Sequence, residues 1–141
     1  MAGDSSDIEA ALVTKLAADA TLAALLQSGA AVFMDEAPPG GTKFVIVSLV
    51  DEVDEPMFGA RAVEDALFMV KAVMLSTAGG NMKSAAARID ALLEQGTLTA
   101  AGYSLMTMRR ESRIRVTEVD EIDASIRWYH RGGNYRVVMS T

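Results

Sequence analysis

Apolar residues along this chain alternate between a helical and an extended period. Over residues 6–18, Ile8, Leu12 and Leu16 recur every four positions with Val13 alongside, the spacing of one helical face. Asp4, Ser5, Ser6 and Asp7 supply N-cap chemistry for it. Asp19 supplies a second cap, for a shorter helix carrying Leu22, Leu25 and Leu26 and stopping near Ser28 and Gly29; one helix running on through Asp19 is the alternative. Residues 31–34 fit a short strand. Pro38, Pro39, Gly40 and Gly41 then break regular structure. Residues 44–50 are β-branched and almost wholly apolar, and 66–76 nearly so, which predicts inner strands. In the second of these, Phe68, Val70, Ala72 and Met74 share one face, and Leu67, Met69, Lys71, Val73 and Leu75 share the other. Two apolar faces predict helices on one side and a neighbouring subunit on the other.

The helical period returns between Asn81 or Ser84 and Gly96. Met82, Ala85, Ala86, Ile89, Leu92 and Leu93 form its predicted buried stripe, and Lys83, Arg88, Asp90 and Glu94 its wet side. A turn at 77–80, with Gly79 and Gly80, precedes it. Residues 103–117 and 124–140 then read as two long strands joined by the acidic stretch 118–123. Gly132, Gly133 and Asn134 predict a bulge or a break in the second. The expected fold is α+β: one domain spanning 1–141, with an antiparallel sheet of about four main strands and two helices packed on one face. Residues 51–65 are expected as a long acidic loop insertion between the two inner strands. A two-residue turn would suffice there, so a longer connection presents surface, where binding function concentrates.

Composition narrows the chemistry. The 141 residues include no Cys and one His, which excludes disulfides, thiolate nucleophiles, Cys-bound zinc and a His-based metal site. No apolar run approaches the roughly 20 residues of a membrane helix, and the first residues lack the basic stretch of a signal peptide. The expectation is a soluble protein made inside the cell. The net charge of −6 argues against a general nucleic-acid binder. The distribution is more informative than the sum. Residues 1–70 carry 12 acidic and 3 basic side chains, and residues 71–141 carry 7 and 10. Such polarity lets the acidic part of one copy meet the basic part of another, as head-to-tail association requires; mixing of both halves within one fold is the alternative.

Three charged clusters are candidate sites. Asp51, Glu52, Asp54 and Glu55, with Arg61 beyond them, lie in the expected loop. They have the oxygen ligands but not the spacing or the glycine of an EF-hand, so a solvated loop or a contact with a channel or partner is the reading preferred to calcium binding. Arg109, Arg113 and Arg115 are expected on one face of a strand with Arg110 on the other, and phosphate binding, a solvated sheet face and ion pairing between subunits all compete there. Glu118, Asp120, Glu121 and Asp123 crowd a hairpin tip, too solvated for the tuned acidities of acid–base catalysis. Arg109, Arg113, Arg115, Glu118 and Asp120 are therefore the candidate interface between subunits or with a partner. His130 follows Trp128 and Tyr129 without a second ligand and reads as a packing or interface residue. Neither glycine pair is followed by the Lys-Ser/Thr of a phosphate loop. No catalytic group and no cofactor site is predicted.

The order of elements and several residues resemble the tail-terminator and tail-completion (head–tail joining) proteins of long-tailed bacteriophages. Leu12, Leu16, Asp19, Leu22, Leu25 and Leu26 look like that family's first helix and its Asp-started extension. Val32, Phe33, Pro38, Pro39 and Phe44 look like its proline-punctuated approach to the first main strand. Gly59 and Arg61 match its loop, Gly79, Gly80, Ala87 and Leu92 its crossover helix, and Tyr135, Arg136 and Val137 its ending. The likeness covers residues 8–139 and rests on diffuse motifs. It implies a structural virion protein, assembled in the host cytoplasm. It also implies a homo-oligomeric ring, usually of six subunits, at the head-proximal end of the tail. The ring would stop tail-tube growth and contact the tail-tube protein below and a head-completion protein above, with DNA passing through unbound. The alternatives are another neck or minor tail component, or a small α+β ligand-binding module or enzyme.

Overall fold

The computed structural model describes residues 5–26, 31–57, 60–76 and 82–140. Helices α1 (Ser5–Ala17) and α2 (Ala20–Leu25) are followed by strands β1 (Val32–Met34), β2 (Lys43–Met57) and β3 (Ala60–Leu75), helix α3 (Met82–Leu93), and strands β4 (Ser104–Val119) and β5 (Arg127–Ser140). They form a five-stranded sheet in the order β1-β2-β3-β5-β4. The α+β class holds. The sheet has one strand more than expected, and β1 lies parallel to β2, while β2–β3, β3–β5 and β5–β4 are antiparallel. The described residues hold three helices where two were expected, because Asp19 does end one and start the next. Its carboxylate accepts the Leu22 amide at 2.8 Å, which satisfies one of the donors a helix start leaves unpaired.

The helices cover one sheet face. Ile8, Leu12 and Leu16 from α1, Leu22 from α2, and Ala85, Ile89 and Leu93 from α3 are completely buried. They meet Val45 and Val47 from β2, Phe68, Val70 and Ala72 from β3, and Val137 and Met139 from β5, all equally inaccessible. The period-four and period-two patterns thus converge on one core, as helix-on-sheet packing requires. Truncating any of these side chains removes apolar burial and leaves a cavity.

The segment expected as a loop is instead the outer part of a β-hairpin. Strand β2 continues through Met57, β3 begins at Ala60, and Val53, Asp54 and Glu55 pair with Asp65, Glu64 and Val63. The acidic residues did not break the strand because it is one arm of a ladder whose side chains can reach water. Val50 has no partner of its own in the register between Leu49 and Asp51. This one-residue bulge re-aims the arm. Residues 51–55 run beside the part of β3 that β5 still accompanies, up to Val63 opposite Ser140, and only the pairs Pro56–Arg61 and Met57–Ala60 extend beyond it. The side chains of 54–57 and 60–62 lie outside the described part, as do Asp4, Ser28, Gly29, Gly59, Gly79, Gly80 and Asn81, on which sequence-based expectations fell.

The glycine pair in β5 does not break that strand. Gly132 pairs with Lys71 and Ile114, and Gly133 with Val70 and Arg113. A Cβ on Gly132 would stand 2.1 Å from the Val70 carbonyl oxygen, and one on Gly133 would stand 2.8 Å from that of Ser112. The glycines permit close backbone approach; the irregularity is across the ladder, in β4.

Candidate functional site

Strand β4 carries two register shifts, one at Met106 and one at Glu111. The second reverses which face every later residue occupies. Arg110 pairs with Tyr135 before the shift, and Arg113 and Arg115 pair with Gly133 and Arg131 after it. All three line a groove between β4–β5 and α3, together with Lys83, Asp90 and Arg131. Arg109 is opposite Arg136 on the far face. The expectation that Arg109, Arg113 and Arg115 share a face is therefore corrected: uninterrupted alternation was assumed, and the Glu111 bulge adds one residue.

The groove has a volume of about 570 Å³. One wall is anchored by Asp90, which accepts from Arg110 at 2.7 Å and from the Tyr135 hydroxyl at 3.0 Å. Burial, then the Asp90 charge, pushes the Tyr135 phenol well above its ordinary range. Glu94 accepts the Arg110 backbone amide. The expected wet side of α3 is thus largely engaged: Arg88 makes two hydrogen bonds to Asp19, at 2.6 and 2.8 Å, while Asp90 and Glu94 fix β4. The Arg88 hydrogen bonds hold the Asp19 carboxyl at about 2. Lys83, Arg113, Arg115 and Arg131 have no acidic partner among the described residues. Sequence reasoning named Arg113 and Arg115 for a charged interface but missed Arg131, and placed Lys83 on a merely solvated face. The available signal was the i, i+3, i+4, i+7 run Lys83, Ala86, Ala87 and Asp90 on α3, whose alanines leave room for a groove beside the sheet.

The opposite sheet face differs. Arg136 is held between Glu111 and Asp65, and its guanidinium is pushed above its ordinary value by those hydrogen bonds. Arg109 adds attraction at Glu111. Further along, Phe44 packs between Phe33 and Trp128, at ring-centroid distances of 6.4 and 6.2 Å. Phe44 and Trp128 border a shallower hollow of about 330 Å³ that also takes in Ile46, Lys71, Glu118 and His130. Burial, reinforced by Lys71, lowers the His130 pKa against the opposing pull of Glu118. Its Nε2 is 3.4 Å from Glu118, without the geometry of a hydrogen bond. The His130 side chain is 11% exposed.

Of the remaining candidates, Asp120 turns inward. It accepts the Ile122 and Asp123 amides and the Trp128 indole at 3.0 to 3.1 Å. These hydrogen bonds lower its pKa, and Ser125 does the same for Asp123. Glu118 stands at the end of β4 and not in the tip. Asp51 is exposed on the β2 arm and Glu52 half-buried beside it. Asp54, Glu55 and Arg61 lie on the described backbone of the hairpin. Among the described residues no group of three or more His, Asp or Glu is arranged to hold a metal ion, and no helix is long and apolar enough to cross a membrane.

Among the described residues the structure thus offers a basic groove on one sheet face and a long acidic hairpin at one end of the sheet. Residues 10–140 match the family described as tail completion protein gp17. The chain belongs to this family. It is a structural protein of bacteriophage tails and of the virion. A solved structure of a native gene transfer agent particle's virion contains a chain that is 26% identical, with a TM-score of 0.65 and 97% of each chain covered. A second solved structure, 17% identical over 95% of each chain with a TM-score of 0.53, shares the fold. Among curated protein sequences none matches.

Proposed function

We propose that copies of this chain close into a ring of six at the head-proximal end of a phage tail. There the ring ends tail-tube growth and joins the tail to the head. It contacts the tail-tube protein on one side and a head-completion protein on the other, and DNA passes through without specific binding. The protein is a structural part and catalyses no reaction.

One observation carries this reading: the sheet ends in two different unpaired edges. Strand β4 is the last strand on one side and is 16 residues long. On the other side, β1 covers β2 only from Val45 to Val47, leaving the rest of β2 without a neighbour among the described residues. A long unpaired edge is a template for pairing with another chain. Edges of unlike sequence at the two ends of one sheet favour heterologous contacts, which propagate and then close into rings. Family membership supports the place in the tail, and the gene transfer agent virion supports the particle context. Arg109, Arg113, Arg115, Glu118 and Asp120 are assigned to the flank that meets a neighbour, and Asp51, Glu52, Asp54, Glu55 and Arg61 to the arm facing the channel or a partner.

Negative-stain microscopy of the purified protein, alone and mixed with isolated tail tubes, tests the reading. Annular particles, and caps on one end of the tubes, are expected. Tubes that stay bare at saturating protein would refute it.

A further inference from the structure

The β4–α3 groove is lined by cations, and the turn that joins β4 to β5 carries exposed acids and an exposed isoleucine. We infer that the groove is the socket for this turn from the adjacent copy, so that Glu121 and Asp123 of one subunit meet Lys83, Arg113, Arg115 and Arg131 of the next, while Ile122 settles on Ala86 and Ala87. The inference rests on the ring reading and adds the contact that builds it.

Three observations lead here. First, the acid that lines the groove, Asp90, is already engaged by Arg110 and Tyr135. Lys83, Arg113, Arg115 and Arg131 have no acidic partner among the described residues. Cations gathered together repel one another unless an anion joins them. Second, the turn is built in advance. Asp120 accepts the Ile122 and Asp123 amides and the Trp128 indole, and Asp123 accepts the Ser125 amide and hydroxyl. Arg127 donates to the Ala124 and Ile126 carbonyls. These bonds fix the backbone, yet they leave Glu121 without a basic partner among the described residues and Ile122 98% exposed. An isoleucine held that bare on a fixed turn loses little freedom on docking and gains apolar burial. Third, the turn stands beyond the groove of its own copy. The last pair of the hairpin, Val119 with Arg127, lies four residues past Arg115 with Arg131, about 13 Å along the strand. The turn starts only after that pair, and also past Leu75 with Trp128, the last pair that β3 makes with β5. Turn and groove are different surfaces, so the junction is heterologous and each subunit offers one of each. The charges orient the approach and exclude wrong neighbours more than they add raw affinity.

Two variants test this. Arg113→Glu with Arg115→Glu disables the groove; Glu121→Ser with Ile122→Ser disables the turn and spares Asp120 and Asp123, which build it. Circular dichroism and thermal melting establish that both remain folded. Sedimentation velocity and native mass spectrometry then read association. Each variant alone is expected to associate at least about tenfold more weakly than the wild type. A mixture of the two should recover a one-to-one dimer, because one intact junction remains between the groove of the turn variant and the turn of the groove variant. The contact can also be trapped, since the chain has no cysteine. Ala87→Cys in one copy and Ile122→Cys in another, mixed and treated with a short bis-maleimide, should give the mixed dimer. Arg109→Cys, on the far sheet face, should give little of it with the same partner. If the wild type assembles, both variants assemble equally well and Ala87→Cys is joined to Ile122→Cys no better than Arg109→Cys is, the socket is refuted while the ring reading stands. If the wild type does not assemble even on tail tubes, the ring reading itself fails and the inference with it. If the groove variant assembles normally but loses binding to a short DNA duplex that the wild type holds, the groove serves a nucleic acid and the inference is overturned.

Discussion

Arg136 and Arg131 are five residues apart on the same strand, and their surroundings are opposite. Arg136 stands between two carboxylates on one face of the sheet. Arg131 faces α3 on the other, beside Lys83, Arg113 and Arg115, with no acidic partner among the described residues. A pleated strand separates them by alternation alone. The first arrangement closes its charges within the subunit, as a stable fold requires. The second leaves charges open, which is disadvantageous in an isolated monomer and useful at a junction. The proposed junction uses the charges that are not neutralised within the subunit, and the substitutions that separate fold from assembly follow from that division.

The largest effect belongs to the apolar core that the helices cover. Leu12→Ala empties a completely buried position in the core between α1 and the sheet. It should cost about 3 kcal/mol by urea unfolding and reduce assembly only through loss of folded protein. The next effect is at the α1–α2 corner. Asp19→Ala removes the cap and the Arg88 partner, and the cap alone is worth about 1 kcal/mol. Because the folded-state carboxyl is depressed to about 2, its contribution is complete above the ordinary Asp value near 3.9 and is lost as pH falls through about 2. Acid titration of wild type and variant should converge at the low end. A smaller effect should appear at His130, whose folded-state pKa is lowered by burial. Protonation then favours the unfolded chain, so stability should fall as pH drops below about 6.5, and His130→Gln should flatten that slope. The smallest effect on stability is on the open side. Arg113→Glu with Arg115→Glu should change unfolding free energy by no more than about 0.5 kcal/mol, because neither side chain has an acidic partner to lose among the described residues. A loss of several kcal/mol there would dissolve the distinction between the two faces.

The core was legible in the sequence. Ile8, Leu12, Leu16, Phe68, Val70 and Ile89 announce their burial through spacing, and Asp19 announces its cap, because these depend on local period and local hydrogen bonding. The open side was legible as composition but not as geometry. The bulge at Glu111 has no signature in residue type, yet it moves Arg113 and Arg115 from the face of Arg109 to that of α3. The arm was mistaken for a loop because charge density and Pro56 resemble a strand break, while the ladder with 60–65 that keeps it extended is a pairwise property. Asp90 looked solvated because its partners, Arg110 and Tyr135, come from two strands distant in sequence. What sequence reasoning lacked in each instance was register.

The central claim is that subunits join side to side through unlike surfaces and close. Native mass spectrometry of the full chain, at rising concentration and with isolated tail tubes present, tests it most directly. The account predicts one dominant closed species whose mass is a fixed multiple of the 15.0 kDa chain, with no ladder of longer oligomers. A chain that remains monomeric throughout, bound to neither its own copies nor the tubes, would contradict it.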